Sequence, residues 1–324
     1  MPTLQAIRQS VEAELAAYQR CFEDVLTHEE AFMNQPLAYI RSRRGKMMRP
    51  LLTLLVAKAC GPVGESAIRS AVTLELLHTA SLVHDDVVDD SAERRGQAAV
   101  HTVYDNKVAV LLGDYLLAAS LHQAALTGHQ RVVEHIALLG RTLAEGEIFQ
   151  LAAVDSNAIS EDNYYRIIRS KTAALFSTCA VLGAIASGAS PEFEQCVRKF
   201  GEIVGICFQI RDDIFDYYDD AAIGKPRALD MKEGKLTLPA IYAVTRHGTP
   251  EILALAQRVK ALTASEADIA TLIAFAKEQG GIDYARAEMQ RLQAEAEACL
   301  TGIADPVVRQ ALTDYLAFVV ERSV

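Results

Sequence analysis

Six aspartates stand in two boxes of the same spacing, Asp85-Asp86-Val87-Val88-Asp89 and Asp212-Asp213-Ile214-Phe215-Asp216. Each Asp-Asp-x-x-Asp box closes an apolar helical stretch. On a helix the first and fifth positions lie one turn apart on the same face, with the second beside them. Ionised carboxylates so placed repel by about 4 kcal/mol per pair at the effective dielectric of a protein surface. The negative end of the helix dipole adds to that repulsion. A cation must offset the charge. Mg²⁺ takes oxygen ligands, typically one or two carboxylates together with substrate phosphates. One box alone reads equally well as a solvated charge run. Two boxes, in the company of the cations below, read as a pair of metal clamps facing one diphosphate.

Arg41, Arg43, Arg44, Lys46 and Arg49 concentrate positive charge in an otherwise acidic chain. Within that run, the spacing Gly45-Lys46-x-x-Arg49-Pro50 lets Lys46 and Arg49 converge on one anion. Arg94-Arg95-Gly96 follow closely on the first box; Arg suits bidentate phosphate recognition, and Gly lets the backbone approach. Lys171, Lys225 and Lys235 add point charges in the second half. His78 lies two helical turns before Asp85 on the same face, where a phosphate-binding role outweighs that of a packed core histidine. His84, next to the box, reads as structural. No Ser/His/Asp arrangement or paired Cys/His is present, which suits a leaving group activated by metal.

The elements that must carry these groups are helices. Hydrophobic residues make up 51% of the 324-residue chain and aromatics only 6%, with no Trp. That mix favours helix over sheet. Helical periodicity predicts a helix over 51–59 just after Pro50, a long one over 66–90 ending in the first box, and one over 106–125. The last is apolar nearly all round, so a central position is expected. Ser160 is an expected N-cap with Asn163 at N3, and its helix runs through Lys171 to about Ile185. Pro191 opens another helix that ends at the second box. Loops are expected at 94–99 and 221–234, a break at Gly280-Gly281, and an amphipathic tail over 306–320. The expected fold class is all-α: one large single-domain helical bundle around a central cavity, spanning 1–324. The net charge of −10 argues against nucleic-acid binding. Six cysteines without CxxC spacing read as reduced core residues of a cytoplasmic protein. The apolar stretch 173–187 is short for a membrane span of about 20 residues, so no stable membrane insertion is expected.

Taken together, these segments resemble the trans-polyprenyl diphosphate synthases over nearly the whole chain: GKMMRP (45–50), ELLHTASLVHDDVVDDSAERRG (75–96), NKVAVLLGDYLL (106–117), Lys171-Thr172, FQIRDDIFD (208–216), GKP (224–226), EGKLTLP (233–239) and GGIDYA (280–285). The resemblance implies a homodimer of helical subunits, each condensing isopentenyl diphosphate with an allylic diphosphate. It assigns the Mg²⁺ ions to Asp85, Asp89 and Asp212, with Asp86, Asp213 and Asp216 supporting. Arg94, Lys171, Lys225 and Lys235 would bind the allylic diphosphate. Lys46, Arg49, His78 and Arg95 would bind the diphosphate of isopentenyl diphosphate. Thr172 and Gln209 would turn oxygens toward the developing allylic cation. The chain departs from the family pattern at Arg44, Ala98 and Ala228, none of which removes a charged ligand. Ala228 leaves open how the loop presents Lys225 and Arg227.

Product size in such enzymes depends on what plugs the cavity beneath the first box. Ala80 and Ser81, one turn up from Asp85, are both small. Deeper, Leu76 and Leu77, or Leu117, Leu121 and His122 of the neighbouring helix, are candidate floors. One helical turn is about 5.4 Å, roughly one isoprene unit, so a long product of about C30 to C50 is expected, of the kind used for quinone side chains. The competing readings are a geranylgeranyl or farnesyl diphosphate synthase and a non-catalytic partner subunit. A terpene cyclase has no use for Lys46, Arg49 and His78.

Overall fold

The computed structural model describes residues 2–42, 45–94, 96–155, 158–218 and 228–321, so Arg43, Arg44, Arg95, Lys225 and Arg227 lie outside the described residues. The chain opens with α1 (Leu4–Gln9), α2 (Glu12–Val25), α3 (Ala31–Ser42) and α4 (Met48–Cys60). Next comes α5 (Glu65–Val88), which ends inside the first acidic box. A hairpin of two-residue strands follows, β1 (Glu93–Arg94) and β2 (Gln97–Ala98), in antiparallel register. It leads into α6 (Val100–Tyr104), α7 (Asn106–Leu126) and α8 (Gln130–Asp155).

α9 (Glu161–Ile168) passes through a π-helical turn, Arg169–Ala173, into α10 (Ala174–Ala186). α11 (Pro191–Phe215) ends inside the second box. The remaining helices are α12 (Leu229–Lys232), α13 (Leu238–His247), α14 (Pro250–Lys260), α15 (Glu266–Glu278), α16 (Gly281–Cys299) and α17 (Pro306–Glu321). Local chemistry sets several of these ends. Ser160 Oγ accepts from the Asn163 N–H at 3.3 Å, and Ser190 Oγ accepts from Phe193 N–H at 3.3 Å, with Pro191 at the first position of α11.

The core forms around α10. Leu175, Phe176 and Cys179 through Ile185 are all buried, and the helix packs against α4, α5, α8 and α11. α5 lies along α7, where Gly113 makes the approach possible: a Cβ there would meet the His84 ring at 2.2 Å. His84 has the expected structural role, with Nε2 3.1 Å from the Val110 carbonyl and 3.5 Å from Asp114. The central position expected of α7 is corrected. Its Leu112 and Leu116 pack inward, but Leu111 is 67% exposed, and Val110, Leu117, Leu121 and Leu126 are also exposed. All-round apolarity marks two buried faces, and within one chain only one of them is covered. The cysteines also divide: Cys179 and Cys207 are core residues, whereas Cys196 is exposed.

Candidate active site

The first box meets the π-helical turn where the C-terminal ends of α5 and α8 converge. Asp85 is half-buried there, and burial pushes its pKa up to about 6. Glu147 of α8 adds to that rise, Lys171 and Arg94 oppose it, and Asp89 adds again. A carboxylate held so far above its ordinary value by burial and neighbouring anions is a donor that a divalent cation relieves. Mg²⁺ fits this donor set, because it needs only one or two carboxylates before phosphates and water complete its shell. No closed group of three His, Cys, Asp or Glu side chains is found among the described residues.

The proton bound by Asp85 has a consequence for stability. Between its ordinary 3.8 and about 6, the folded chain holds this proton more tightly than the unfolded chain. Its contribution to stability therefore falls as pH rises through that window. Asp85→Asn removes this slope. In chelator, urea unfolding at pH 4.5 and 6.5 should show the variant gaining about 1–2 kcal/mol on the wild type at the higher pH, after allowance for solvent screening.

Lys171 and Thr172 sit in the π-helical turn, a register shift of the kind found at functional sites. Lys171 Nζ lies 2.5 Å from Glu147 Oε2 and 3.1 Å from Gln150 Oε1. Thr172 Oγ1 donates to Gln209 Oε1 at 2.8 Å, Gln209 Nε2 donates to Asp213 Oδ1 at 2.8 Å, and the Tyr164 hydroxyl donates to Asp213 Oδ2 at 2.6 Å. Accepting from both Gln209 Nε2 and the Tyr164 hydroxyl, Asp213 leaves the Gln209 oxygen facing Thr172. Burial, with Asp230 nearby, holds the Asp213 pKa well above the usual carboxylate range, while the hydrogen bonds from Tyr164 and Gln209 pull it down. Tyr164→Phe should destabilise the fold by about 1–2 kcal/mol, because it leaves one buried carboxylate oxygen unsatisfied. Urea denaturation measures it.

Gln150, Lys171, Thr172, Gln209, Asp213 and Lys235 line one cavity of about 240 Å³. Against the pull of burial, an ion pair with Glu233 at 2.6 Å raises the Lys235 ammonium above its ordinary pKa; Asp230 and Asp89 add to the rise. The charge of Asp89 in the first box thus reaches Lys235. A second cavity of about 170 Å³ opens on another face of α5, lined among others by Gly45, Met47, Glu75, His78, Asp86 and Arg94. Arg49 lies behind, its guanidinium 5.1 Å from the centre of the Phe176 ring. Its Nε is buried with no hydrogen bond among the described residues. Lys46 is exposed, and its carbonyl accepts from Arg8 at 2.7 Å. Between Lys46 and Arg49, Met47 takes a left-handed φ of 48°, as do Asp90 (49°) after the first box and Ala228 (60°) before α12. Each such turn costs an L-residue roughly 1–2 kcal/mol, and all three border the site. At Ala228 a Gly would meet that conformation without a Cβ penalty.

The structure gives partners or surroundings for several residues that the resemblance names. Asp86 is buried and bonded by Arg94 Nε at 2.5 Å. Asp213 is held by Tyr164 and Gln209, as above. Asp216 accepts from the backbone N–H groups of Leu229 (2.9 Å) and Asp230 (3.2 Å) and so caps α12. These three carboxylates are engaged by protein donors. Arg94 lines the cavity of His78 rather than that of Lys171, because Asp86 points about 100° around the helix from Asp85. Leu76, Leu77 and Ala80 are buried in the core, and half-buried Ser81 donates to the His78 carbonyl at 2.9 Å. None of the four lines either cavity. Leu117 and Leu121 are exposed on α7 and His122 lines a surface pocket, so these three do not form a floor. Glu147, Gln150 and Tyr164 were not foreseen. Glu147 and Gln150 give only a polar i, i+3 pattern, which a solvated face shows equally.

A helical bundle that carries two aspartate boxes at helix ends, with Lys and Arg side chains around them, has the all-α isoprenoid synthase fold. The chain belongs to the polyprenyl synthetase family, whose model matches residues 30–275, and it is accordingly a prenyltransferase. It is 37% identical over 249 residues to the octaprenyl diphosphate synthase of Escherichia coli, covering 76% of this chain and 77% of that one. Crystal structures of a geranylgeranyl pyrophosphate synthase from Bacteroides thetaiotaomicron and a decaprenyl diphosphate synthase from Rhodobacter capsulatus superpose closely. The first has a TM-score of 0.86 at 42% identity, covering 98% of each chain. The second has a TM-score of 0.92 at 36% identity, covering 99% of this chain and 100% of the other.

Proposed function

We propose that this chain is a Mg²⁺-dependent, cytoplasmic, homodimeric synthase. It condenses isopentenyl diphosphate with an allylic diphosphate repeatedly, to a long product of about C30 to C50, one isoprene unit per helical turn of depth. The observation that carries the condensation is the pair of cavities, one lined by Lys171, Lys235 and Asp213 of the second box, the other by His78, Arg94 and Asp86 of the first. Two diphosphate sites suit two substrates. A cyclase needs one. The small, half-buried Ser81 one turn from Asp85 and relatives named octaprenyl and decaprenyl diphosphate synthases favour a long chain. The relative named geranylgeranyl pyrophosphate synthase supports the shorter alternative.

Mg²⁺ held by Asp85, Asp89 and Asp212 would supply positive charge to the departing diphosphate. Lys171 and Lys235 bind its oxygens from the protein side. The oxygens of Thr172 and Gln209, oriented through Asp213, stabilise charge at the allylic carbon. His78, Arg49 and Arg94 hold the second diphosphate beside it, so the carbon–carbon bond forms within one assembly. The proton leaves with pyrophosphate. Purified protein, farnesyl diphosphate and labelled isopentenyl diphosphate test the whole reading, with and without chelator. A Mg²⁺-dependent ladder ending at C30 or beyond supports it. A ladder ending at C15 or C20 replaces the long-chain product, and no elongation by folded protein returns the partner-subunit reading.

The homodimer rests on the uncovered face of α7 and α8, where Leu111, Leu117, Leu121, Leu138, Ile148 and Leu151 are all exposed. α7 is long and apolar enough to cross a membrane, but its other face packs on α5. A contiguous apolar face of this kind marks an interaction site. A second copy, laying the same face against it, covers both at once. Leu111→Asp with Leu121→Asp should convert a dimer to monomer in sedimentation velocity at micromolar protein.

A further inference from the structure

Glu147 belongs to none of the motifs, yet it is the side chain that Lys171 meets. Glu147 and Gln150 project three residues apart from one face of α8 and grip the ammonium at 2.5 and 3.1 Å. The helix comes this close because residue 146 is Gly; a Cβ there would stand 2.6 Å from Ser170 Cβ in the π-helical turn. The pair is not sealed: Lys171 is 29% and Glu147 26% exposed. Water therefore screens it, and exchanging one anion for another is inexpensive. An ammonium is a compact charge with three donors, and a carboxylate and a phosphate compete for it.

We propose that Glu147 is a resident counter-anion for Lys171: it holds the ammonium in place between turnovers, yields it to the allylic diphosphate, and takes it back as pyrophosphate leaves. The inference rests on Lys171 being a diphosphate ligand. Gln150 keeps the ammonium on the same side throughout. Glu147 is thus a positioning residue acting through Lys171. A purely architectural ion pair would behave differently, since breaking it would loosen α8 against the π-helical turn and weaken binding. A counter-anion opposes binding, so neutralising it strengthens binding and slows release.

Glu147→Gln keeps the shape and an accepting carbonyl while removing the charge. Calorimetric titration with inorganic pyrophosphate in Mg²⁺ buffer should show Kd falling about fivefold, the size expected for one solvent-screened pair. KM for the allylic substrate should fall with it, and kcat should fall as release slows. On a Lys171→Ala background most of that gain should disappear. Gln150→Glu, which sets a second carboxylate on Lys171, should change Kd the other way by a similar factor and keeps the test decisive if Glu147→Gln folds poorly. Weakened or unchanged pyrophosphate binding in Glu147→Gln, or unchanged binding in Gln150→Glu, overturns the inference. So does an equal gain with and without Lys171, which would make Glu147 a direct repulsive charge. If Lys171→Ala binds pyrophosphate as tightly as the wild type, the reading of Lys171 as a diphosphate ligand fails and the inference falls with it. If Lys171→Ala weakens binding but Glu147→Gln does not strengthen it, only the inference falls.

Discussion

Asp85→Ala should abolish elongation, lowering kcat by at least about 10³-fold, while the protein stays folded; losing one preorganised electrostatic partner of a developing charge has that scale. Asp85 stands where the field of Lys171 and Arg94 meets that of Glu147 and Asp89. No other carboxylate of its box can replace it. Asp86 is bonded to Arg94, and Asp89 lies a turn nearer the mouth, within the influence of Lys235. The fold should not suffer, because a half-buried carboxylate with a raised pKa opposes folding when ionised. Incorporation of labelled isopentenyl diphosphate, read beside thermal unfolding, separates the two effects. Activity within tenfold of wild type would remove Asp85 from the metal site. Asp216→Ala is the instructive contrast. It deletes a cap on α12, so stability should fall by about 1 kcal/mol.

What could be read from the sequence divides along a physical line. Helix ends were legible because they are local: Ser160 caps one helix and Pro191 opens another where their chemistry requires, and both boxes lie at helix ends. The two boxes stand out in the sequence because like charge at i, i+4 is costly wherever it occurs. What escaped depends on which face meets which neighbour. The all-round apolarity of α7 is equally consistent with a central helix and with one that packs on α5 and leaves its outer face exposed. Asp213 and Asp216 carry the same letters as Asp212, yet about 100° of helical rotation gives Asp213 to Tyr164, and a capping turn gives Asp216 to Leu229 and Asp230. Glu147 is hardest of all to foresee. Its meaning lies in Lys171, which chain order sets far away and the π-helical turn brings within 2.5 Å.

Ser81→Phe should shorten the product to about C15 to C20, with elongation still efficient over the first additions. Ser81 lies one turn, about 5.4 Å, before Asp85 and about 40° around the helix; it lines neither cavity but is half-buried next to the face that carries Asp85. Its own side chain obstructs nothing, since the hydroxyl is folded back onto the His78 carbonyl. A benzyl group there is expected to project from that face at a depth of roughly one isoprene unit beneath the first box. The reacting ends remain in place, so the first condensations proceed, and the growing chain then meets a wall. That separates a length effect from a catalytic one: initial rate with a short allylic primer should stay within a few fold, while the chromatographic ladder loses its upper rungs. A ladder of unchanged length would move the floor away from α5. Leu117, Leu121 and His122 of α7 are not the next candidates, because they face outward. The half-buried Leu143 of α8 is, lying one turn deeper than the Glu147 that meets Lys171.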